Sequence, residues 1–453
     1  MEWKNKKVLV VGSGISGIGA ATLLNSVGAL PILFDENKTL TIESIKEKFE
    51  KDVEIQVVLG ELPGSIEDEI DLVVLSPGVP TDIELVNHLR KKGLKIWGEI
   101  ELGYAFERGK VAAITGTNGK TTTTTLVGQM VENYFGKVFI VGNIGNPYTL
   151  TTLQTTENTV TVAEISSFQL ETIEHFSPTV SAILNITPDH LNRHHTMEKY
   201  IEAKETIAIN QTRNEVCVLN YDNEYTRDFG NRCNAKVIFF SSKSHLENGY
   251  YLEKEDIWRA KDGNAVKIIN IHDIKLVGIC NYENVMAALA MGESLGIPME
   301  SLISTVCNFH AVEHRIEFVA TKKGVDYYND SKGTNPDAAI QGILAMTKPT
   351  LLIGGGYDKQ STYDEWIEAF GTKVKCLFLI GQTKEKIAVC AREHGFTNII
   401  MAESLEEVMK LCEEMATPGD AVLLSPACAS WGMFPNYEVR GRIFKNIVND
   451  IKE

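Results

Sequence analysis

No other stretch limits the chain's possible architecture as much as Val111 to Leu126, VAAITGTNGKTTTTTL. An apolar run of β-branched and small residues, Val111 to Ile114, stops at a glycine-containing turn, and Lys120 with Thr121 opens a segment of helical length. Strand, loop and helix in that order make a phosphate cradle. Gly116 and Gly119 allow close backbone approach to a polyphosphate, Lys120 supplies a point charge, and Thr121 offers a hydroxyl to Mg²⁺. Ile114 stands where the general phosphate-loop pattern has its first glycine, so a plain glycine turn is the competing reading.

At 453 residues the chain should divide into about three domains. The boundaries expected are 1–106, 107–310 and 311–453. Charged residues make up 23% and apolar residues 43%, an ordinary globular balance. The start, MEWKNKKVLVVG, has too short an apolar run for a signal peptide, and no stretch approaches a membrane span, so residence in the cytoplasm is expected. A net charge of −16 argues against a general nucleic-acid surface, which needs clustered Lys and Arg. The eight cysteines form no CxxC pair and no metal-ligand spacing, and read as reduced, mostly core thiols.

Residues 6–35 read as strand, glycine turn, helix and strand. Gly12, Gly14 and Gly17 match G-x-G-x-x-G, and Asp35 lies where a ribose-binding carboxylate would stand. NAD is the obvious ligand; the alternative, a Rossmann-like domain without a redox cofactor, gains from the second nucleotide loop that follows. DLVVLSPGV (71–79) is a further strand ending at Ser76, and Gly98 to Gly109 reads as the crossing into the next domain.

After the cradle, KVFIVGNIGNP ends in a turn around Asn143, and TVTVAEISSFQLE places Glu164 at a strand end, where a nucleotide-bound Mg²⁺ would be met. An ordinary carboxylate opening a loop is its alternative. The strand Ser181 to Ile186 runs into Thr187-Pro188-Asp189-His190. His190, His194 and His195 invite a zinc reading, but without a matching Cys/His set a hard-cation site sharing His190 is preferred. Spacing predicts a helix over 197–209 whose apolar stripe contains Lys204. Such a lysine must snorkel, pair with an acid or be chemically altered, and spacing alone favours snorkelling. Residues 213–280 suggest short strands completing a sheet, with turns at Asn223 and Gly249. Asn281 and Asn284 share a helix face and could bond a nucleobase, with N-capping the alternative for Asn281. From residue 311 onward, strands alternate with helices, which predicts a second doubly wound domain.

The series GSGISG, TGTNGKT, GNIG, AEISSFQLE, NITPDHLNRH with its downstream AKE, CNYEN, EHRIE, NDSKGTN, GGGYDK and SPACASWGMF resembles the Mur ligases along almost the whole chain. SPACAS with its aromatic continuation, and the short GSGISG start, resemble the members that add D-glutamate; no D-N-P-R motif of the diamino-acid-adding members is present. The resemblance implies a three-domain α/β fold: a Rossmann-like N-terminal domain for the UDP substrate, a central phosphate-loop ATPase domain, and a Rossmann-like C-terminal domain for the amino acid. It implies a monomer working on small molecules in peptidoglycan precursor synthesis, and so in cell-wall biogenesis, cell shape and division. ATP would phosphorylate the carboxylate of UDP-N-acetylmuramoyl-L-alanine, and the amine of D-glutamate would attack the acyl phosphate.

By the same resemblance, Gly116, Thr117, Asn118, Gly119, Lys120, Thr121 and Thr122 would hold the ATP phosphates, and Asn281, Asn284, Arg315, Asp330 and Lys332 the rest of ATP. Thr121 and Glu164 would hold one Mg²⁺, with His190 and a CO₂-carbamylated Lys204 attending a second; Lys120, Glu164, His190 and Lys204 form the expected catalytic set. Gly14, Ile15, Ser16, Asp35, Glu36 and Asn37 would take the UDP end, and Ser76, Asn143, Ser166 and Gln169 the sugar-peptide. Thr334, Lys359, Ser430, Trp431 and Tyr437 would meet D-glutamate. Asn192, where aspartate is usual, and Cys280, where histidine often stands, depart from the family pattern. Folylpolyglutamate synthase is a near alternative, disfavoured by the Rossmann-like start, and an NAD-dependent oxidoreductase with a fused phosphate-loop domain is a remoter one.

Overall fold

The computed structural model describes residues 2–50, 53 and 55–452, and for Asn192 the backbone alone. Three sheets account for the apolar runs of the chain. The first contains β1 Lys7–Val11, β2 Leu30–Asp35, β3 Gln56–Leu59, β4 Leu72–Leu75 and β5 Ile96–Gly98, in the order β3-β2-β1-β4-β5. All its pairs are parallel, and its strands are apolar on both faces, as a sheet covered on both sides requires. The strand order reverses at β1, so the ends of β1 and β4 flank the crevice where such sheets take ligands.

The second sheet runs β14-β13-β12-β11-β10-β9-β6-β8-β7, from β6 Lys110–Thr115, β7 Val138–Gly142, β8 Val160–Glu164, β9 Val180–Ile183, β10 Val216–Asn220, β11 Lys236–Ser241, β12 Gly249–Glu253, β13 Asp256–Lys261 and β14 Asn264–Asn270. Its registers set Ile114 beside Glu164, Glu164 beside Gly142, and Thr115 beside Ile183. Four strands therefore deliver their following loops to one edge at one level. The helix Lys120–Phe135 follows β6 and buries Leu126, Val127, Met130 and Val131.

The third sheet, β15-β16-β20-β17-β18-β19, uses β15 Glu317–Lys322, β16 Val325–Asn329, β17 Thr350–Gly355, β18 Val374–Ile380, β19 Ile399–Met401 and β20 Ala421–Leu424. Only the edge strand β15 pairs antiparallel, to β16. The remaining strands are parallel, with Asn329 and Ile353 both level with Leu424.

Packing divides the chain into two compact units, one running through Ile269 together with Asn284–Thr305, the other holding Asn270–Glu283 and the chain from Val306. The first two sheets share the first unit. Gly98 to Gly109, expected as a crossing, contains the helix Glu99–Tyr104, with Glu99 and Glu101 both buried. Glu99 accepts from the N–H and hydroxyl of Thr149, and Glu101 from the N–H groups of Glu174, His175 and Phe176. Burial raises the Glu99 carboxyl above its ordinary range against those Thr149 bonds. Asn223, read as a turn, is the N-cap of a helix, Glu224–Arg232, accepting from the Thr226 N–H. No helix among the described residues is long and apolar enough to cross a membrane.

Candidate active site

At the carboxyl edge of β6, Gly116 and Gly119 adopt φ of 150° and 85°, conformations that glycine accepts without strain. A Cβ at Gly119 would stand 2.2 Å from Asn284 Oδ1, so Asn284 borders the phosphate loop. The loop is tied to the turn after β9: Asn118 N–H donates to Asn185 Oδ1 (2.8 Å), Thr117 N–H to the Asn185 carbonyl (2.9 Å), and the Thr117 hydroxyl lies 3.0 Å from Tyr200 OH. Thr121 and Thr122 are buried in the first turn of the helix.

Two ammonium groups converge on one carbonyl. Lys120 Nζ donates to the oxygens of Gly116 (2.7 Å) and Thr117 (2.8 Å), and Lys204 Nζ donates to the same Gly116 oxygen at 2.9 Å. Lys204 does not snorkel. It lies on the helix Met197–Glu205, is 2% exposed, and its ammonium sits 4.6 Å from the Tyr200 ring centre. Burial, with repulsion from Lys120, holds its pKa well below the ordinary lysine range; Asp189 opposes the shift weakly.

Glu164, 1% exposed, accepts from Asn143 Nδ2 at 2.7 Å through Oε1, while its Oε2 is buried with no partner. Thr115 Oγ1 and Thr187 Oγ1 are likewise buried and unpartnered. These oxygens belong to the ends of β6 and β8 and the loop beyond β9, the edge that carries the cradle. Buried oxygens normally find a donor or an ion, and an all-oxygen set beside a phosphate loop fits Mg²⁺. His190 opens the short helix Leu191–His194 at φ 54°, with half its side chain exposed and its ring 5.0 Å from Phe168. His194 Nε2 lies 2.9 Å from Ser167 Oγ, and His195 Nε2 lies 3.1 Å from Asp82 Oδ2, so neither turns toward His190 as a zinc set would need. The Asn192 side chain lies outside the described residues.

In the first sheet, Gly14 caps the helix Ile15–Ser26 with open space where a Cβ would be, while a Cβ at Gly17 would collide with the Gly12 carbonyl at 1.9 Å. Asp35 Oδ2 takes the Ser13 N–H (2.9 Å) and hydroxyl (2.6 Å), and Oδ1 the Asn37 N–H (3.0 Å). Burial raises the Asp35 carboxyl, but these bonds and Lys48 outweigh it and hold it below its ordinary value. Ser16 is half-buried, whereas Glu36 and Asn37 are exposed, as is Ile15 at 76%, a large apolar side chain left in solvent beside the glycine turn. Ser76 Oγ donates to the Gly12 carbonyl at 3.2 Å. Ser166 and Gln169 satisfy each other as a capping box on the helix Ser167–Leu170. Arg193 and Glu171, missed in the sequence, join the two sheets: Arg193 donates to the Val79 carbonyl and to Glu171, which also accepts from Thr81.

In the second unit, Asn281 is inside the helix Ile279–Ser294 rather than capping it, and its Nδ2 donates to the Val277 carbonyl (2.8 Å). Cys280 packs half-buried against the core. Arg315 is flanked by His314 at φ 69° and Ile316 at φ 44°, a costly conformation for a β-branched residue, and its Nε is buried without a partner. Asp330 accepts from Ser425 Oγ (2.7 Å) and the Ile316 N–H (3.2 Å). Burial pushes its carboxyl up to about 7 despite Ser425 and Arg315. Lys332 Nζ lies 5.6 Å from the Tyr437 ring centre, and Lys359 Nζ 5.5 Å from that of Trp431. Ser430 is buried and Thr334 half-buried.

Arg440 is the residue that sequence reasoning missed here. It is 1% exposed, donating from Nε to Ser331 Oγ (2.9 Å), from Nη2 to the Ser331 carbonyl (2.8 Å), and from both terminal nitrogens to the Cys428 carbonyl (3.3 Å). Burial lowers its guanidinium to about 10. It ties the loop after β16 to the loop after β20. The signal was available: Arg440, Gly441, Phe444 and Val448 form the buried stripe of the helix Tyr437–Asp450.

Three family descriptions match successive parts of the chain: the Mur ligase MurD-like N-terminal domain over 6–98, the Mur ligase middle domain over 114–292, and the Mur ligase glutamate ligase domain over 314–428. The UDP-N-acetylmuramoylalanine–D-glutamate ligase of Lachnospira eligens is 56% identical over 451 residues, covering 100% of both chains. The chain is a Mur ligase. The ligase of the same name from Clostridioides difficile is 46% identical, again over 100% of both chains. Among solved structures, UDP-N-acetylmuramate-alanine ligase MurC of Thermotoga maritima matches with a TM-score of 0.59 at 19% identity, over 99% of this Mur ligase and 100% of that chain. MurF of the same organism, solved with ADP, matches at 0.59 and 18% over 98% and 96%. These two likenesses speak for the three-sheet α/β fold.

Proposed function

We propose that this Mur ligase joins D-glutamate to UDP-N-acetylmuramoyl-L-alanine, with conversion of ATP to ADP and phosphate, in cytoplasmic synthesis of peptidoglycan precursor. The full-length likeness to ligases of that name supports the substrates. The observation that carries the chemistry is the phosphate loop, where two ammonium groups share the Gly116 carbonyl beside buried oxygens that lack a donor. Such a site is matched only when phosphate oxygens and cations arrive together.

The substrate carboxylate attacks the γ-phosphorus of ATP, forming an acyl phosphate and releasing ADP; the D-glutamate amine then adds to the acyl carbon, and phosphate leaves with the amide formed. Loop N–H groups from Gly116 to Thr122 and the Lys120 ammonium hold the phosphates in line. Thr121, Glu164 and His190, with Lys204, would hold two Mg²⁺ ions, which when bound neutralise charge on the phosphoryl oxygens. We assign Asn281, Asn284, Arg315, Asp330 and Lys332 to the remainder of ATP, and the first-sheet residues from Gly14 to Asn37 to the UDP end. Ser76, Asn143, Ser166 and Gln169 are assigned to the sugar-peptide, and Thr334, Lys359, Ser430, Trp431 and Tyr437 to D-glutamate. The corresponding domains are 1–106, 107–310 and 311–453, and the working form is a monomer.

Lys204 has a physical motive to become a carbamate. Burial and Lys120 favour its neutral amine, which is the nucleophile toward CO₂. Addition with loss of a proton turns a repelled cation into an anion that attracts Lys120 and suits Mg²⁺.

The deciding experiment is phosphate release from ATP with the UDP-muramoyl-alanine and D-glutamate. Release that requires both acceptors is expected. Release driven instead by a folate, or reduction of NAD without these substrates, overturns the reading.

A further inference from the structure

On the third sheet two helices face each other with a donor set that cysteine spacing alone did not disclose. The helix Asp364–Glu368 follows β17, and the helix Lys384–Glu393, capped by His394, follows β18. Asp364 and Glu368 are four residues apart, as are Cys390 and His394, so each pair shares a helix face. The Phe370 and Phe396 rings, 5.1 Å apart just beyond the two helices, hold those faces together.

The donor atoms converge. His394 Nε2 stands 3.7 Å from Asp364 Oδ1 and 3.7 Å from Glu368 Oε1. Cys390 Sγ is 3.9 Å from the same ring at Nδ1, and burial together with the nearby Asp364 carboxylate raises its thiol above the ordinary range. Asp364, Cys390 and His394 each offer a ligand atom within 4.8 Å of the others, the one such group of three among the described residues.

The ring's tautomer follows from its partners. Nδ1 lies 3.0 Å from the Cys390 carbonyl, which can only accept, so Nδ1 donates to it and Nε2 is the nitrogen that faces the two carboxylates. Both carboxylates stand 3.7 Å from Nε2, beyond hydrogen-bond distance, which leaves room for a cation between them and the ring. A backbone carbonyl fixing Nδ1–H while Nε2 faces outward is how metal-bound histidines are oriented.

We propose that Asp364, Cys390 and His394, with the exposed Glu368 side chain turning in as the fourth ligand, form a site for a borderline-soft divalent ion, Zn²⁺. Thiolate and imidazole beside carboxylates suit zinc and do not suit magnesium or calcium, which prefer all-oxygen sets. Tetrahedral bonds of about 2.0–2.3 Å put ligand atoms about 3.3–3.7 Å apart; the two carboxylates already stand 3.7 Å from Nε2, and the sulfur, within the 4.8 Å group, closes on the ion by side-chain rotation. On binding, the Cys390 thiol gives its proton to solvent and its sulfur a lone pair to the metal. The ion would pin the helix Asp364–Glu368, too short to hold itself, to its neighbour, and so steady the segment 356–363 that carries Lys359. This assignment is independent of the ligase reading.

The test uses the full-length protein, stripped with a chelator and titrated with Co²⁺, then Zn²⁺, without substrates. One equivalent of Co²⁺ should produce an intense near-ultraviolet thiolate-to-cobalt band and the visible bands of a four-coordinate ion, both bleached by Zn²⁺, and Zn²⁺ should raise the melting temperature. Cys390→Ser and His394→Ala, whose metal-free melting and circular dichroism should match the parent, abolish the band and the rise. Glu368→Gln weakens Zn²⁺ by at least about tenfold. Absence of the thiolate band in the parent, or its survival in Cys390→Ser, overturns the site; the second result would mean a different cysteine binds the metal.

Discussion

The phosphate-loop edge of the second sheet and the loop edge of the third both bury a cation, and they treat it in opposite ways. Arg440 has its donors taken up by the Ser331 hydroxyl and carbonyl and the Cys428 carbonyl. Lys204 shares one carbonyl with a second ammonium, near oxygens that have no donor at all. A matched buried charge is scaffolding, because its partners are part of the chain. An unmatched one is a place held for something the chain does not contain.

The sharpest way to break that contrast is to remove each cation. Lys204→Ala should lower turnover by about 10²–10³-fold, and a short carboxylic acid with excess CO₂ should restore part of it. The nearly isosteric Lys204→Met should leave the melting temperature unchanged or raised, since it removes a repelled charge. A variant that keeps its rate, or melts far earlier, would show the lysine to be structural. Arg440→Met should do the reverse, costing about 3 kcal/mol in denaturant unfolding of the third-sheet unit because three acceptors lose their donors. Unchanged stability there would remove the distinction.

Two smaller effects sharpen it. Asp35→Asn should weaken the UDP substrate about tenfold, measured by titration, and leave ATP affinity unchanged. Loss of ATP affinity instead would move the nucleotide assignment of the first sheet. Asp330, held near pH 7 by burial, binds a proton in the folded state that the unfolded chain has already lost. Its stabilising contribution is therefore complete below about pH 4, the ordinary carboxylate range. It is lost as pH rises toward about 7, at no more than roughly 1.4 kcal/mol per pH unit. Asp330→Asn should flatten that part of the pH-stability curve, and an unaltered curve would show the carboxyl to be ionised throughout.

Much of the fold was legible because apolar strands ended in glycine turns and helices followed at regular intervals, as at Val111 to Leu126 and again at Thr350 to Gly355. The phosphate loop and Glu164 were legible for the same reason, since residue type and strand end coincide. What escaped were groups whose partners lie far along the chain. Periodicity put Lys204 on an apolar stripe but could not show the Gly116 carbonyl that receives it. Arg440 sat on a similar stripe and drew no notice, because arginine on a helix ordinarily reads as surface. Glu224–Arg232 has too polar a stripe to announce itself as a helix. Cys390 and His394 acquire meaning only when the acids of another helix stand opposite.

The carboxylates of Glu99 and Glu101 decide how the first two sheets can be taken apart. A protease cut or gene truncation just ahead of Glu99 would strand both acids on the later fragment, still capping Thr149 and residues 174–176, but torn from the chain that leads into them. The earlier fragment would lose the cover that Leu102 lays over its core. The amino-terminal sheet is thus mortised into its neighbour, and excising it as a stand-alone nucleotide binder should yield an insoluble or unfolded piece.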